Sequence, residues 1–172
     1  MRTRSTPAAA LLADGLTLGR GLLAVALIPT VERGDWRLTA LLLTAAWWTD
    51  FFDGRVARTT AGTRLGAWDE RIDTGVGASI MIGLVAGDHV TAFWPIAGAL
   101  LLALYLATSR LVFSQILQAM AYGTVLWLSF HGDRPGFALM ATTIALIGMF
   151  DMRRLLDHNL PEFFSLLRIK RS

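Results

Sequence analysis

Apolar blocks separated by short charged turns organise this chain. From His89 to Ser109 there are 21 residues without a formal charge, and from Leu111 to Gly132 another 22, each long enough to cross a bilayer as a helix. Arg110 alone divides them. Apolar runs at about 16–31, 36–52, 70–87 and 135–151 are shorter and span only with polar ends in the headgroup layer. The pattern predicts an all-α, polytopic integral membrane protein with six transmembrane helices, forming a single domain over residues 1–172. Ahead of the first helix, residues 1–15 carry Pro7 and an Ala/Leu run, which predicts an N-terminal interfacial segment. That start resembles a secretory leader, but Asp14 interrupts its apolar stretch and no cleavage is expected.

The connections read as polar turns. ERGDWR at 32–37 places Trp36 as an interface anchor, and HGDRPG at 131–136 is a tight Gly/Pro turn. Residues 54–66, rich in Gly, Thr and Arg, predict a loop or frayed helix end lying over a site. Gly75, Gly77, Gly83 and Gly87 punctuate the third helix, where small residues let membrane helices approach closely. The tail from Arg153 to Ser172 alternates apolar pairs with basic residues, as a segment on the inner leaflet would.

Charge placement orients the chain. Twelve basic residues (Arg2, Arg4, Arg55, Arg58, Arg64, Arg71, Arg110, Arg153, Arg154, Arg168, Lys170 and Arg171) fall on one side of the six helices, and Arg33, Arg37 and Arg134 fall on the other. By the positive-inside rule the twelve-residue side is cytoplasmic, and both termini lie there, in a multi-pass protein of the cell membrane. Arg20 lies near the mouth of the first helix; with Asp14 it reads as an interface residue without a catalytic role. Composition agrees, since 54% hydrophobic residues and a mean hydropathy of +0.51 exclude an ordinary soluble domain. The net charge of +3 is spread over membrane-surface loops, so the partner is the lipid bilayer and no nucleic acid is expected. Cysteine is absent, which excludes disulfides and thiolate chemistry.

Candidate chemistry concentrates in residues 50–73, DFFDGRVARTTAGTRLGAWDERID. Asp50 and Asp53 are three apart and Asp69 and Asp73 four apart, so each pair shares one helix face. Carboxylates roughly 5 Å apart repel by about 3 kcal/mol at an effective dielectric near 20, and a divalent cation relieves that repulsion. Mg²⁺ takes oxygen ligands and commonly bridges a carboxylate to a phosphate, so the set suits a diphosphate. Gly54 permits close backbone approach, and Arg58 offers a planar fork to phosphate oxygens.

This stretch resembles the signature of the CDP-alcohol phosphatidyltransferase family, DxxDGxxAR followed after a spacer by GxxxDxxxD. Asp50, Asp53, Gly54, Ala57 and Arg58 match the first half without a gap. Gly66, Asp69 and Asp73 match the second half, with two residues rather than three between Gly66 and Asp69. LTLGR near the first helix extends the likeness. The resemblance implies two Mg²⁺ or Mn²⁺ ions held by Asp50, Asp53, Asp69 and Asp73, with Asp73 also the catalytic base. It implies contacts from Gly54, Ala57 and Arg58 to the CDP moiety, with Gly66 packed beneath the nucleotide, and often a homodimer. The implied reaction moves a phosphatidyl group from CDP-diacylglycerol to a small polar alcohol and releases CMP, in phospholipid biosynthesis.

Arg110 opens the fifth helix and, as an isolated arginine there, is expected to contact a phosphorylated acceptor; glycerol 3-phosphate is favoured over inositol phosphate. Phosphatidylglycerophosphate synthases, the branch nearest in length, typically carry Glu after this Arg and Lys after the last aspartate. Leu111 and Thr74 stand at those places here. An ion-coupled transporter and a catalytically silent membrane partner are the readings from other classes. Trp47, Trp48 and Trp68 read as interface or packing residues, and His89, His131 and His158 are not expected to bind metal.

Overall fold

A computed structural model describes residues 7–57, 65 and 68–154. Among them are six helices: α1 (Pro7–Glu32), α2 (Trp36–Ala57), α3 (Asp69–Ala86), α4 (Phe93–Thr108), α5 (Leu111–Gly132) and α6 (Arg134–Arg154). No strand occurs among the described residues.

Sequence and geometry agree on where the helices turn. Gly34 adopts φ +68°, a left-handed conformation that closes the α1–α2 turn, and Asp35 Oδ1 accepts the amide of Leu38 across the first turn of α2. Ser109 is left-handed at the end of α4, so only Ser109 and Arg110 separate α4 from α5. Two boundaries differ from expectation. Residues 7–15 are not a separate interfacial segment but the first turns of a continuous 26-residue α1, because Ala, Leu and Gly there break no helix. Residues 54–57 likewise continue α2, and Gly54 is helical. Trp36 also has a packing role. It is half-buried, with its ring centroid 4.9 Å from that of His89 and its edge against Gly132, so it clasps three turns at one end of the bundle.

The first helix packs most extensively on α2 and α3, while α5 closes on α3 and α6 on α2. Leu27, Val31, Leu43, Val76, Ile80, Leu84, Leu117, Val125 and Met140 form the buried centre. Glycine sets the closest approach. A Cβ on Gly83 would stand 2.7 Å from Val31 Cβ and 2.8 Å from the Ile28 carbonyl, so α1 and α3 meet with no room for a side chain. Gly77 meets the Gln118 backbone similarly, whereas Gly75 faces nothing within 4 Å among the described residues.

Outside, the bundle is greasy: Leu22, Val25, Ile96, Leu100, Leu106 and Trp127 are all exposed. Water does not tolerate so much contiguous apolar surface on a monomer, but lipid does. By length and composition alone, two helices are able to cross a bilayer, α1 over Ala10–Glu32 and α5 over Leu111–Gly132. The other helices are shorter in their apolar part or carry charge. Those charges build the site.

Candidate active site

Three helices bring ionised side chains to one end of the bundle. In α2, Asp50 and Asp53 project from adjacent turns; in α3, Asp69 and Asp73 do the same; α1 runs against both and supplies Thr17 and Arg20, three residues apart. The Arg20 side chain is 1% exposed and its guanidinium touches all four carboxylates. Nη1 donates to Asp50 Oδ1 at 2.8 Å and to Asp73 Oδ1, while Nη2 donates to Asp53 Oδ2 at 3.0 Å and to Asp69 Oδ1 at 2.7 Å. Its Nε is buried without a partner among the described residues. A buried arginine is costly unless paired, and this one is paired four times.

Arg20 therefore is not the interface residue that its place near a helix mouth predicts. Its expected position was judged along one helix, whereas its partners lie on two others. Asp14 has a structural task as well, since its Oδ1 accepts the amide of Leu65 at 2.9 Å and ties the segment after α2 to α1.

The carboxylates are not equivalent. Asp53 is nearly buried at 7% exposure and accepts the Thr17 hydroxyl at 2.7 Å. Asp50, Asp69 and Asp73 are 53%, 36% and 29% exposed and open toward solvent or substrate. One oxygen from each of these three lies within 4.8 Å of the others. That donor set fits a hard divalent ion, because Mg²⁺ and its like take oxygen ligands and carboxylates on two neighbouring helices would supply them. Four carboxylates against one guanidinium also leave acid in excess of base, which favours further positive charge.

Beside the tetrad a cavity of about 60 Å³ is bounded by Arg20, Asp50, Asp73, Trp47, Gln118 and Tyr122. It has room for about two waters or one hydroxymethyl group. Gln118 and Tyr122, which line it from α5, belong to a hydrogen-bonded chain that runs on behind the cavity: Tyr122 donates to Gln118 at 3.4 Å, Gln118 donates to Ser114 at 3.1 Å, and the Ser114 and Thr74 hydroxyls lie 2.6 Å apart. Thr74, where the nearest branch typically carries Lys, is thus a buried link between α3 and α5. A larger apolar hollow of about 420 Å³, at Met81, Ile82, Val85 and Gly98 between α3 and α4, holds no group able to handle a phosphate.

Of the residues singled out from the sequence, Asp50, Asp53, Asp69 and Asp73 converge, and the shortened spacing after Gly66 does not remove Asp69 from the cluster. Gly54 follows Asp53 in α2, and a Cβ there would meet nothing within 4 Å among the described residues. Ala57 is the last residue of α2. Arg58 and Gly66 lie outside the described residues. Arg110 precedes α5, exposed, one helical turn before the Ser114 that meets Thr74; it stands at the same end as the tetrad but makes no ion pair with a described residue. Thr17 and Arg20 are the additions that sequence reading missed. The available signal was an arginine embedded in an apolar helix, a placement that is functional by default.

Fold and site together define an all-helical protein with an apolar exterior and a carboxylate cluster for hard cations at one end. The chain belongs to the CDP-alcohol phosphatidyltransferase family, whose profile matches residues 10–156. No curated protein and no solved structure matches the chain significantly. Membership makes it a membrane-associated transferase, moving a phosphatidyl group from a CDP-alcohol to an alcohol in phospholipid synthesis. The transport reading gives way to that activity.

Proposed function

We propose that the chain is a six-span membrane enzyme, with both termini and the tetrad at the cytoplasmic face, that transfers the phosphatidyl group of CDP-diacylglycerol to a small polar alcohol. The convergence of Asp50, Asp69 and Asp73 within 4.8 Å carries this reading. Asp50, Asp53, Asp69 and Asp73 would hold Mg²⁺ or Mn²⁺, with two ions as the full complement. When bound, the metal would supply positive charge to neutralise the diphosphate and polarise the phosphorus–oxygen bond that breaks.

The residues of the chain do the rest. Asp73 faces the small cavity between α3 and α5 and accepts the proton of the acceptor hydroxyl as that oxygen attacks the phosphorus bearing the diacylglycerol. The new phosphorus–oxygen bond forms to the acceptor, the phosphoanhydride bond breaks, and CMP leaves with the bridging oxygen. Gly54, Ala57 and Arg58 contact the CDP moiety, and Gly66 packs beneath the nucleotide. Open space at Gly54 supports that approach. Arg110, exposed at the same end, binds the phosphate of the acceptor, and glycerol 3-phosphate is the acceptor favoured. A homodimer is the expected assembly.

The intact placement of Asp69 argues against a silent relative. The test is release of CMP from CDP-diacylglycerol by purified protein against a panel of alcohols including glycerol 3-phosphate and inositol phosphate. Release should require an acceptor, cease with a chelator and return with Mg²⁺ or Mn²⁺. Metal-saturated protein that releases no CMP with any alcohol would overturn the reading.

A further inference from the structure

Arg20 stands where the carboxylates converge. Its partners Asp50, Asp69 and Asp73 are the same three residues whose oxygens are grouped closely enough for one metal ion. Among the described residues no other basic side chain is buried. A guanidinium cannot leave by losing its proton, since it stays charged at any pH a protein survives. It also cannot remain in contact with a divalent ion seated among the same oxygens, because like charges at contact distance repel strongly.

We propose that Arg20 is a tethered cation that holds the metal-binding carboxylates together when no metal is present and competes with the metal for them. The inference rests on the metal-dependent transferase reading given above. Three observations support it. First, the bonds run from a different helix: Arg20 is on α1 and its partners on α2 and α3, so a swing of one long side chain frees the oxygens without moving a helix. Second, Asp53, the carboxylate outside the close group of three, has a second donor in Thr17 and stays satisfied when Nη2 withdraws. Third, four carboxylates share one guanidinium, so the cage keeps acidic oxygens in excess and still attracts a divalent ion while Arg20 is in place.

A merely structural arginine and a competing one differ in the sign of one measurement. Mn²⁺ binding to the full chain in detergent, without substrate, is read from loss of the free-ion paramagnetic resonance signal, and unfolding is followed with chelator and with Mn²⁺. Arg20→Met keeps an unbranched stem as far as the Nε position and removes the charged guanidinium. It should bind Mn²⁺ with a Kd lower by about tenfold or more, because a competing charge has gone. It should unfold at a lower temperature than the wild type in chelator, and gain more from Mn²⁺. Arg20→Gln, neutral but able to donate to the carboxylates, should also bind Mn²⁺ more tightly than the wild type.

Should Arg20→Met fold only when Mn²⁺ is present, the metal replaces the arginine and the proposal stands. Unchanged or weaker Mn²⁺ binding by both variants overturns it, as does an Arg20→Met protein that saturating Mn²⁺ does not fold. The transferase reading is judged separately by CMP release. A wild type that releases CMP, with Mn²⁺ affinity not raised in the variants, keeps the enzyme and loses this role for Arg20. A wild type that neither binds Mn²⁺ nor releases CMP sinks both.

Discussion

Thr17 on α1 and Asp53 on α2 share a hydrogen bond of 2.7 Å, with the hydroxyl donating to Oδ2 of a nearly buried carboxylate. Together with Arg20 Nη2 at 3.0 Å it leaves that oxygen doubly bound. Hydrogen bonds to charged groups contribute about 1.5–3 kcal/mol, and an unsatisfied buried carboxylate costs at least as much. Thr17→Val keeps the side-chain shape and removes the donor, so it should lower unfolding stability by about 1.5–3 kcal/mol. Thr17→Ser should recover most of that loss. Thermal unfolding in one detergent, with the metal concentration fixed, compares the three.

The base assignment of Asp73 gives a sharper expectation. Asparagine retains an oxygen able to accept from Arg20, so Asp73→Asn should fold with a melting temperature close to the wild type. It has no carboxylate to take the acceptor proton or to bind metal. General base catalysis contributes about 10²–10⁴ in rate, and CMP release should fall by at least that factor. Wild-type turnover by the variant would rule out Asp73 as base.

Helix positions were legible because long apolar helices announce themselves by uncharged length. Leu111–Gly132 is bounded by the sequence pattern and by the structure at the same residues. The first helix was less legible at its start. Pro7 and the Ala/Leu run suggest a separate lead-in over residues 1–15, although from Pro7 onward these residues continue one helix, in which the Asp14 carboxylate finds the Leu65 amide. In the site, spacing within a helix told which carboxylates share a face, so Asp50 with Asp53 and Asp69 with Asp73 were paired in advance. Arg20 was not found, because periodicity carries no information about which helix a face meets. Only the packing of α1 against both α2 and α3 turns an isolated arginine into the centre of the cluster.

Close helix contact yields a contrast between two glycines of α3. At Gly83 an added Cβ would meet Val31 Cβ at 2.7 Å and the Ile28 carbonyl at 2.8 Å, neither of which is the free end of a flexible chain. Gly83→Ala should push α1 from α3 and cost about 1–3 kcal/mol of stability. Gly75 has no neighbour within 4 Å among the described residues. Gly75→Ala should be neutral or stabilising, by up to about 1 kcal/mol, through the lower backbone entropy of alanine. Denaturant titration of both variants in detergent checks the difference, and equal destabilisation would mean that α1 and α3 are not in contact at Gly83.

The acceptor-binding role proposed for Arg110 can be tested apart from the chemical step. It is exposed just before α5, and Ser114, one turn further along, meets Thr74, the neighbour of Asp73. A phosphate held at Arg110 therefore lies at the tetrad's end of the bundle while the reacting hydroxyl is at Asp73. If the guanidinium binds the phosphate of glycerol 3-phosphate, Arg110→Ala removes a charge-assisted contact of about 1.5–3 kcal/mol. The acceptor KM should then rise roughly ten- to a hundredfold. The KM for CDP-diacylglycerol should not follow it, since the contacts proposed for the nucleotide are with Gly54, Ala57, Arg58 and Gly66 and not with Arg110. With glycerol, which offers a hydroxyl but no phosphate, variant and wild type should show the same KM, so a rise there would mean that Arg110 shapes the site rather than reads the anion. An unchanged KM for glycerol 3-phosphate would remove Arg110 from acceptor binding altogether.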